Sequence, residues 1–564
     1  MHSINRSEHP EIDVIEQRFG LTRRTAVKPP FFYLVTLRDG NQALRHPWGL
    51  EQKKRVFSLN CQLGVQGIEL GYPFSSTRDY DAFCEIAQEA PKDMVIGGLA
   101  RCDERDIRAC AQALKSCPDD VIPRLHTFLG MSDFHMEHAL HKKPDDILRM
   151  ATDAVVLARE LMGARGQVQF SPEHFGDCVT NLDWVIESIQ KIIAAGRVDV
   201  VNLPNTVERT RPEVYAHMVS RVIDALPENV VVAVHPHNDL DMGTATAVAG
   251  YFAGADQIEV TDNGLGERPG NSKLHTVAVA LFNNGVPIDL NMKDLYPVAL
   301  EMAALSGIPI HEKEPLIGSD VRSQRSGIHQ SGSERTKAKI KGAYRPIDWR
   351  IIGRPGDDEI EFTSQSGYSG AMSVLAEGGR IVRPEVAKML TSGLVAASEL
   401  YGKLLPSECV AVYDAHTALA QQKSELTEAD IRQVAIQVLG TLREDNIWKI
   451  IAISYYPVGD NRAIGYLKLG RNGSIFEQTK LGDGPVDALF GAISEITGCA
   501  PKLDNYDITP ISDGPDAQGT ATVGLSMSSI NMTATWSHTD VVKASAYAYL
   551  EALNDILREH ERAE

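Results

Sequence analysis

The run VVAVHPHNDLDMG, residues 231–243, closes an apolar stretch with His235 and His237. Side chains two apart on a strand share a face and stand roughly 6.6 Å apart along the chain. Both imidazoles can then reach one metal ion, although an isolated H-x-H is more often a polar strand end. A third donor is Asp39 in TLRDG, directly after Arg38. One carboxylate and two imidazoles leave coordination positions open, which marks a catalytic rather than a structural centre. Arg38 adds positive charge where an oxyanion would develop. The donor set suits Mg2+ or Mn2+ and also admits Zn2+.

These residues must be brought together by elements distant in sequence. Strand-like runs occur at 31–37, 67–71, 94–100, 121–128, 167–170, 198–203, 230–235 and 257–260, with helical periodicity between them. Eight strands alternating with helices predict an α/β fold, a (β/α)8 TIM barrel over residues 31–306, with an open doubly wound sheet as the rival. Active sites of such barrels lie at the C-terminal strand ends. Those ends carry Arg38 and Asp39, Glu69, His126, Ser171 and Glu173, then Asn202, Pro204 and Thr206, and His235 and His237. Strand eight leads into TDNGLGERPGN; any one polar strand end is unremarkable, but seven converging on one rim lift the metal reading above the bland one.

Residues 1–30 read as an N-terminal arm with no apolar core of a signal peptide. Residues 307–440 read as linker subdomains, rich in Gly, Ser and charge and then helical, with the capped segment SELTEADIRQVAIQVLG. Residues 441–564 repeat a βββα order and predict an α+β domain of two such units. The net charge of −19, without a basic block, argues against nucleic acid. Apolar runs fall short of a bilayer's thickness. Eight cysteines without a C-x-x-C pair imply reduced thiols and a cytoplasmic location.

LRDGNQAL, GIELGYP, FSPE, VNLPNTVERTRPEVYA, HPHND, GERPGN and AYRPID together resemble 2-isopropylmalate synthase, from about residue 30 to the C-terminus. That family belongs to the metal-dependent, Claisen-condensing barrels that include homocitrate and citramalate synthases. LRDG with H-x-H-N-D is specific to the superfamily; NLPNTVE, SQSG (364–367) and GDGPVDALF (482–490) point to the isopropylmalate branch.

The resemblance implies transfer of an acetyl unit from acetyl-CoA to a 2-oxo acid, 2-oxoisovalerate by the motif set, in leucine biosynthesis. It assigns Asp39, His235 and His237 to the metal, and Arg38, Glu173, His329 and Tyr344 to catalysis, with the linker delivering the last two into a partner subunit of a homodimer. Arg38, Glu69, Leu99, His126, Ser171, Asn202, Pro204 and Thr206 would line the oxo-acid pocket. Gly264, Gly266, Glu267 and Asn271 of NGLGERPGN would approach acetyl-CoA. The C-terminal pair of βββα units resembles the leucine-responsive domain.

The chain departs from the family pattern in places. Leu240, Asp241 and Met242 lengthen the loop between HPHND and Gly243, and Asp262 opens the Gly-rich loop. Phe74 and the pair Gly97–Gly98 stand where pocket residues were expected and bear on the choice of oxo acid. The alternatives are the same condensation on another 2-oxo acid, in a homocitrate-, citramalate- or benzylmalate-type synthase, and a non-catalytic amino-acid sensor. A lyase of the superfamily would carry a cysteine in the loop after strand eight; residues 261–275 hold none.

Overall fold

Near-continuous apolar runs make strands that must be covered on both faces, which a parallel barrel ringed by helices achieves. In the computed structural model, which describes residues 28–336, 342–356, 358–421, 423, 426–445, 447–458, 462–471, 473–510, 519–527 and 530–563, eight parallel strands close into a barrel. The strands are β1 (Phe31–Leu34), β2 (Gly67–Gly71), β3 (Val95–Arg101), β4 (Ile122–Gly130), β5 (Gln167–Glu173), β6 (Val200–Asn205), β7 (Val231–Pro236) and β8 (Gln257–Val260). Closure is direct: Leu34 of β1 registers with Ile68 of β2 on one side and Val260 of β8 on the other.

Helices α1 (Leu50–Gln62), α2 (Thr77–Gln88), α3 (Glu104–Leu114), α4 (Pro144–Met162), α5 (Leu182–Gly196), α6 (Pro212–Ala225), α7 (Gly243–Phe252) and α8 (Leu274–Asn283) follow the strands in turn, and α9 (Leu295–Ser306) comes after them. Local chemistry sets their ends. The Asp103 carboxylate accepts from Arg105 N at 3.0 Å and caps α3. Ile107, Cys110, Ala111 and Leu114, three or four apart, bury its inner stripe.

The barrel's floor holds Tyr33, Val35 and Val95 as a small apolar layer. Gly97 belongs to that layer. A Cβ there would overlap the Tyr33 hydroxyl, so glycine admits the ring into the barrel. Gly98 faces Phe83 and Cys110 instead. The expectation that Gly97 and Gly98 shape the oxo-acid pocket therefore gives way to a packing role below it. Arg124 lies above Tyr33, its guanidinium carbon 4.9 Å from the ring centroid and its Nη1 donating to Gln257 at 2.8 Å and Gln169 at 3.1 Å.

The described residues fall into two compact units, the first within 1–322 and 338–357, the second within 323–337 and 358–564. The segment expected as linker is thus shared between them, and residues 1–27 of the expected N-terminal arm lie outside the described residues. In the second unit β9 (Ser323–Gln324) pairs in parallel with β10 (Glu359–Ile360), and α10 (Gly327–Thr336) lies between them in sequence. Four helices follow: α11 (Tyr368–Glu377), α12 (Pro384–Tyr401), α13 (Pro406–Ala420) and α14 (Glu428–Asp445). They share one apolar core that includes Phe362, Leu390, Leu394 and Leu439.

A separate core spans the C-terminal repeat and includes Leu467, Leu489, Val523 and Leu553. Its elements are antiparallel β11 (Lys449–Pro457), β12 (Ala463–Arg471) and β13 (Ser474–Gly482) with α15 (Pro485–Thr497), then β14 (Lys502–Pro510), β15 (Gly519–Met527) and β16 (Ile530–His538) with α16 (Val541–Ala563). The two βββα units stand as the sequence pattern anticipates. No helix among the described residues is long and apolar enough to cross a membrane.

Candidate active site

The site begins where β1 ends. The strand stops at Leu34 rather than continuing to residue 37, and the chain makes one π-helical turn over Thr36–Gly40. Asp39 N donates to Val35 O at 2.8 Å, which carries Arg38 and Asp39 onto the barrel mouth. A second anchor is Asp262, whose buried carboxylate accepts from Thr36 Oγ1 at 2.8 Å and Asn60 Nδ2 at 2.7 Å. Its place at the head of the Gly-rich loop thus ties the β8 loop to the β1 turn. From β7, two strands round the barrel past β8, alternation sends His235 inward, and His237 follows two residues on.

Asp39, His235 and His237 are each buried, with one donor atom apiece within 4.8 Å of the others. His235 Nε2 lies 3.3 Å from His237 Nε2 and 3.5 Å from Asp39 Oδ2; His237 Nε2 lies 3.9 Å from that oxygen. Two donors held by one divalent ion at about 2.1 Å stand about 3.0–3.4 Å apart. The three atoms are therefore spaced to fit one cation after closing by a few tenths of an ångström.

Burial disfavours charge on His235, yet Asp39 and Glu259 raise it to about 9. Burial and the neighbouring His235 push His237 down to about 3, so it offers a free lone pair. Burial would raise the Asp39 carboxyl, but Arg38 and the two imidazoles hold it far below the usual carboxylate range. Asp39 and His237 are thus in the states a metal ligand needs, and an ion binding there would displace the proton from His235.

The supporting contacts are polar and buried. Asn271 Nδ2 donates to Asp39 Oδ2 at 2.8 Å. His235 Nδ1 lies 3.0 Å from Oε2 of Glu259. On the other side, Arg38 Nε donates to Glu69 Oε2 at 2.5 Å, and Nη1 lies 3.3 Å from Asp39 Oδ2. Glu69 Oε1 meets His126 Nδ1 at 2.7 Å, and His126 Nε2 meets Ser171 Oγ at 2.7 Å. A carboxylate can only accept, so Nδ1 carries a proton, and Nε2 shares the second hydrogen bond with the Ser171 hydroxyl. Asn202 Nδ2 donates to Ser171 Oγ at 3.0 Å and to Glu259 Oε2 at 3.2 Å. The contacts run from Asp39 through Arg38, Glu69, His126, Ser171, Asn202, Glu259 and His235 back to Asp39.

A cleft opens over this ring. Of the anticipated residues, Arg38, Asp39, Leu99, His126, Ser171, Glu173, Asn202, Pro204, Thr206, His235, His237 and Glu267 line it. Glu69 does not; it is fully buried beneath Arg38. Gly264, Gly266 and Asn271 are also outside the lining. Asn271 instead supports a metal donor, and a Cβ at Gly266 would overlap the Asn271 side chain, so the loop's tight packing holds that amide in place. Phe74 lies outside the cleft, near Arg101 and Arg105. Tyr344 is exposed in the first unit and outside the cleft lining, and His329 lies on α10 of the second unit.

Sequence reasoning missed Gln42, Phe128 and Arg268, which also line the cleft, and Glu259. The signal for Glu259 was present: a carboxylate inside the apolar strand QIEV needs a polar partner. The lengthened loop after HPHND is held by Glu208, whose carboxylate accepts from Leu240 N.

Comparison with known proteins agrees with this geometry. Residues 30–300 match the HMGL-like family and residues 425–557 the LeuA allosteric (dimerisation) domain. The chain is 46% identical to 2-isopropylmalate synthase 2 of Leptospira interrogans over 374 residues, 66% of this chain and 86% of that one. It is 31% identical to the 2-isopropylmalate synthase of Nitratidesulfovibrio vulgaris over 537 residues, covering 94% and 97%. The corresponding protein of Carboxydothermus hydrogenoformans is 30% identical over 543 residues, covering 93% and 97%. A likeness that spans nearly the whole chain, on a closed barrel followed by two βββα units, identifies the protein as an acyltransferase of the 2-isopropylmalate synthase family.

Proposed function

We propose that the chain condenses acetyl-CoA with 2-oxoisovalerate and hydrolyses the thioester, giving 2-isopropylmalate and CoA for leucine biosynthesis. The observation that carries this reading is the convergence of Asp39, His235 and His237 beside Arg38 in one cleft. A divalent ion on those three donors, Mg2+, Mn2+ or Zn2+, would supply Lewis acidity to the oxo acid's carbonyl.

The chain's own residues do the rest. Burial would weaken the charge on Arg38, but Glu69 and Asp39 more than offset it, so a fixed cation faces the developing alkoxide. Thr206 Oγ1 accepts from His174 N at 3.0 Å, which leaves its hydroxyl proton for the substrate carboxylate. Ser171 Oγ is held between His126 Nε2 and the Asn202 amide, from which it accepts, so it shapes the pocket wall. Leu99, Phe128 and Pro204 give the cleft its apolar wall. Arg38 is held by Glu69, and Arg268 is clamped to Asp239 by contacts of 2.7 and 3.1 Å. Neither lining arginine is spare for a second substrate carboxylate, which favours an apolar oxo acid over 2-oxoglutarate.

Glu173 is the carboxylate at the cleft that assists proton removal from the acetyl methyl or activates water. By family resemblance His329 and Tyr344 complete the site from the partner subunit of a homodimer. Glu267 and the loop around it approach acetyl-CoA. The domain at 441–564 takes leucine as effector and biases the placement of segment 307–440, a coupling between distinct sites. The enzyme works in the cytoplasm.

The test is CoA thiol release with 2-oxoisovalerate, pyruvate, 2-oxoglutarate, phenylpyruvate and longer branched acids, with products identified by mass. The highest kcat/KM is expected for 2-oxoisovalerate, lost with chelator and restored by Mg2+ or Mn2+. Another acid preferred by at least about tenfold overturns the substrate assignment, and full turnover in metal-free protein overturns the metal centre. Full-length protein that neither binds nor responds to leucine overturns the effector assignment.

A further inference from the structure

Glu259 is fully buried in the barrel, on β8, and is not among the cleft-lining residues. Its Oε1 accepts from Gln169 Nε2 at 2.7 Å and Gln257 Nε2 at 3.1 Å. Its Oε2 accepts from Asn202 Nδ2 at 3.2 Å and stands 3.0 Å from Nδ1 of His235. Three of these four neighbours are neutral amides. A carboxylate taken fully out of water is costly unless a cation or a charge-bearing ligand faces it. The group that can do so directly is the His235 imidazole, whose opposite nitrogen faces Asp39 and His237.

We propose that Glu259 is a positioning residue for the metal centre, fixing the tautomer of His235 so that Nε2 presents its lone pair to the cation. This rests on the assignment of Asp39, His235 and His237 as ligands. An imidazole has one proton to place when neutral. With the proton on Nδ1, 3.0 Å from the Glu259 carboxylate, Nε2 is free to coordinate; with the tautomers exchanged, the proton on Nε2 occupies the site. Two amides hold the carboxylate at Oε1 and a third at Oε2, so its position is set by the protein itself. Asn202 bonds both Glu259 and Ser171, so one side chain also links the metal's support to the substrate wall.

Glu259→Gln is the sharpest perturbation. The amide keeps the shape, but its NH2 can donate to Nδ1 and so favours the blocking tautomer. Mn2+ titrated calorimetrically into metal-free full-length protein should bind Glu259→Gln about 10–100-fold more weakly than wild type. Turnover of the variant should recover as Mn2+ is raised, which a general packing defect would not allow. Glu259→Asp, which keeps the charge but withdraws it from His235, should fall between the two; it carries the same test should the glutamine variant fail to fold. An unchanged Mn2+ affinity in a folded variant overturns the inference while leaving the metal ligands in place. Wild-type protein that binds no Mn2+ overturns the ligand assignment itself, and the inference with it.

Discussion

Glu69→Gln tests whether the charge pairs beneath the cleft are as strong as their burial implies. The wild-type carboxylate has no solvent exposure and touches Arg38 at 2.5 Å and His126 at 2.7 Å. Burial alone would raise its pKa; Arg38 and His126 override this and hold it at about 2, against 4.5 for a free side chain. A group held that far down contributes about 3 kcal/mol at neutral pH. That agrees with the roughly 3–5 kcal/mol lost when one partner of a buried pair is removed. The sign follows from the depressed folded-state value: the contribution is complete above the unfolded pKa, begins to fall below pH about 4.5, and is gone near pH 2. Glu69→Gln should therefore lower the barrel's melting transition at pH 7 by about 6 °C, at about 2 °C per kcal/mol for a domain of this size. Scanning calorimetry of metal-free protein reads it, with the C-terminal unit's own transition as internal reference. The gap from wild type should shrink between pH 5 and the lowest pH at which both proteins fold. A shift under about 1 °C at pH 7, or one that does not change with pH, would refute the account of Arg38 as a cation held by a buried carboxylate.

Asp39→Ala should abolish turnover and Mn2+ binding while leaving the circular dichroism spectrum unchanged, because Asp39 faces the cleft rather than the packed core; unaltered metal affinity would remove it from the ligand set. Gly97→Ala should destabilise the barrel by about 1–3 kcal/mol in urea denaturation, since its Cβ would overlap the Tyr33 hydroxyl; a neutral result would show that the floor of the barrel repacks freely. Mixing inactive His329→Ala and Asp39→Ala subunits, with exchange verified, should restore part of the activity if sites are shared across a dimer; no recovery would return His329 to its own barrel or remove it from catalysis.

The alternation of apolar runs with helical periodicity was enough to read the barrel, because each strand needs burial on both faces and each helix an apolar stripe. Inward alternation and strand ends made Asp39, His235, His237 and His126 legible for the same local reason. The C-terminal repeat was legible too, its strands falling within a few residues of the pattern. Tertiary structure decided what local pattern cannot express. It spaced the nitrogens of His235 and His237 at 3.3 Å. It turned Asn271 from an anticipated acetyl-CoA contact into a support for Asp39, and placed Gly97 under the site rather than in the pocket. It also set Glu259 of β8 behind His235 of β7, 24 residues earlier in the chain. A hydrogen bond forms between neighbours in space. Only closure of the barrel decides which inward-facing side chains become neighbours.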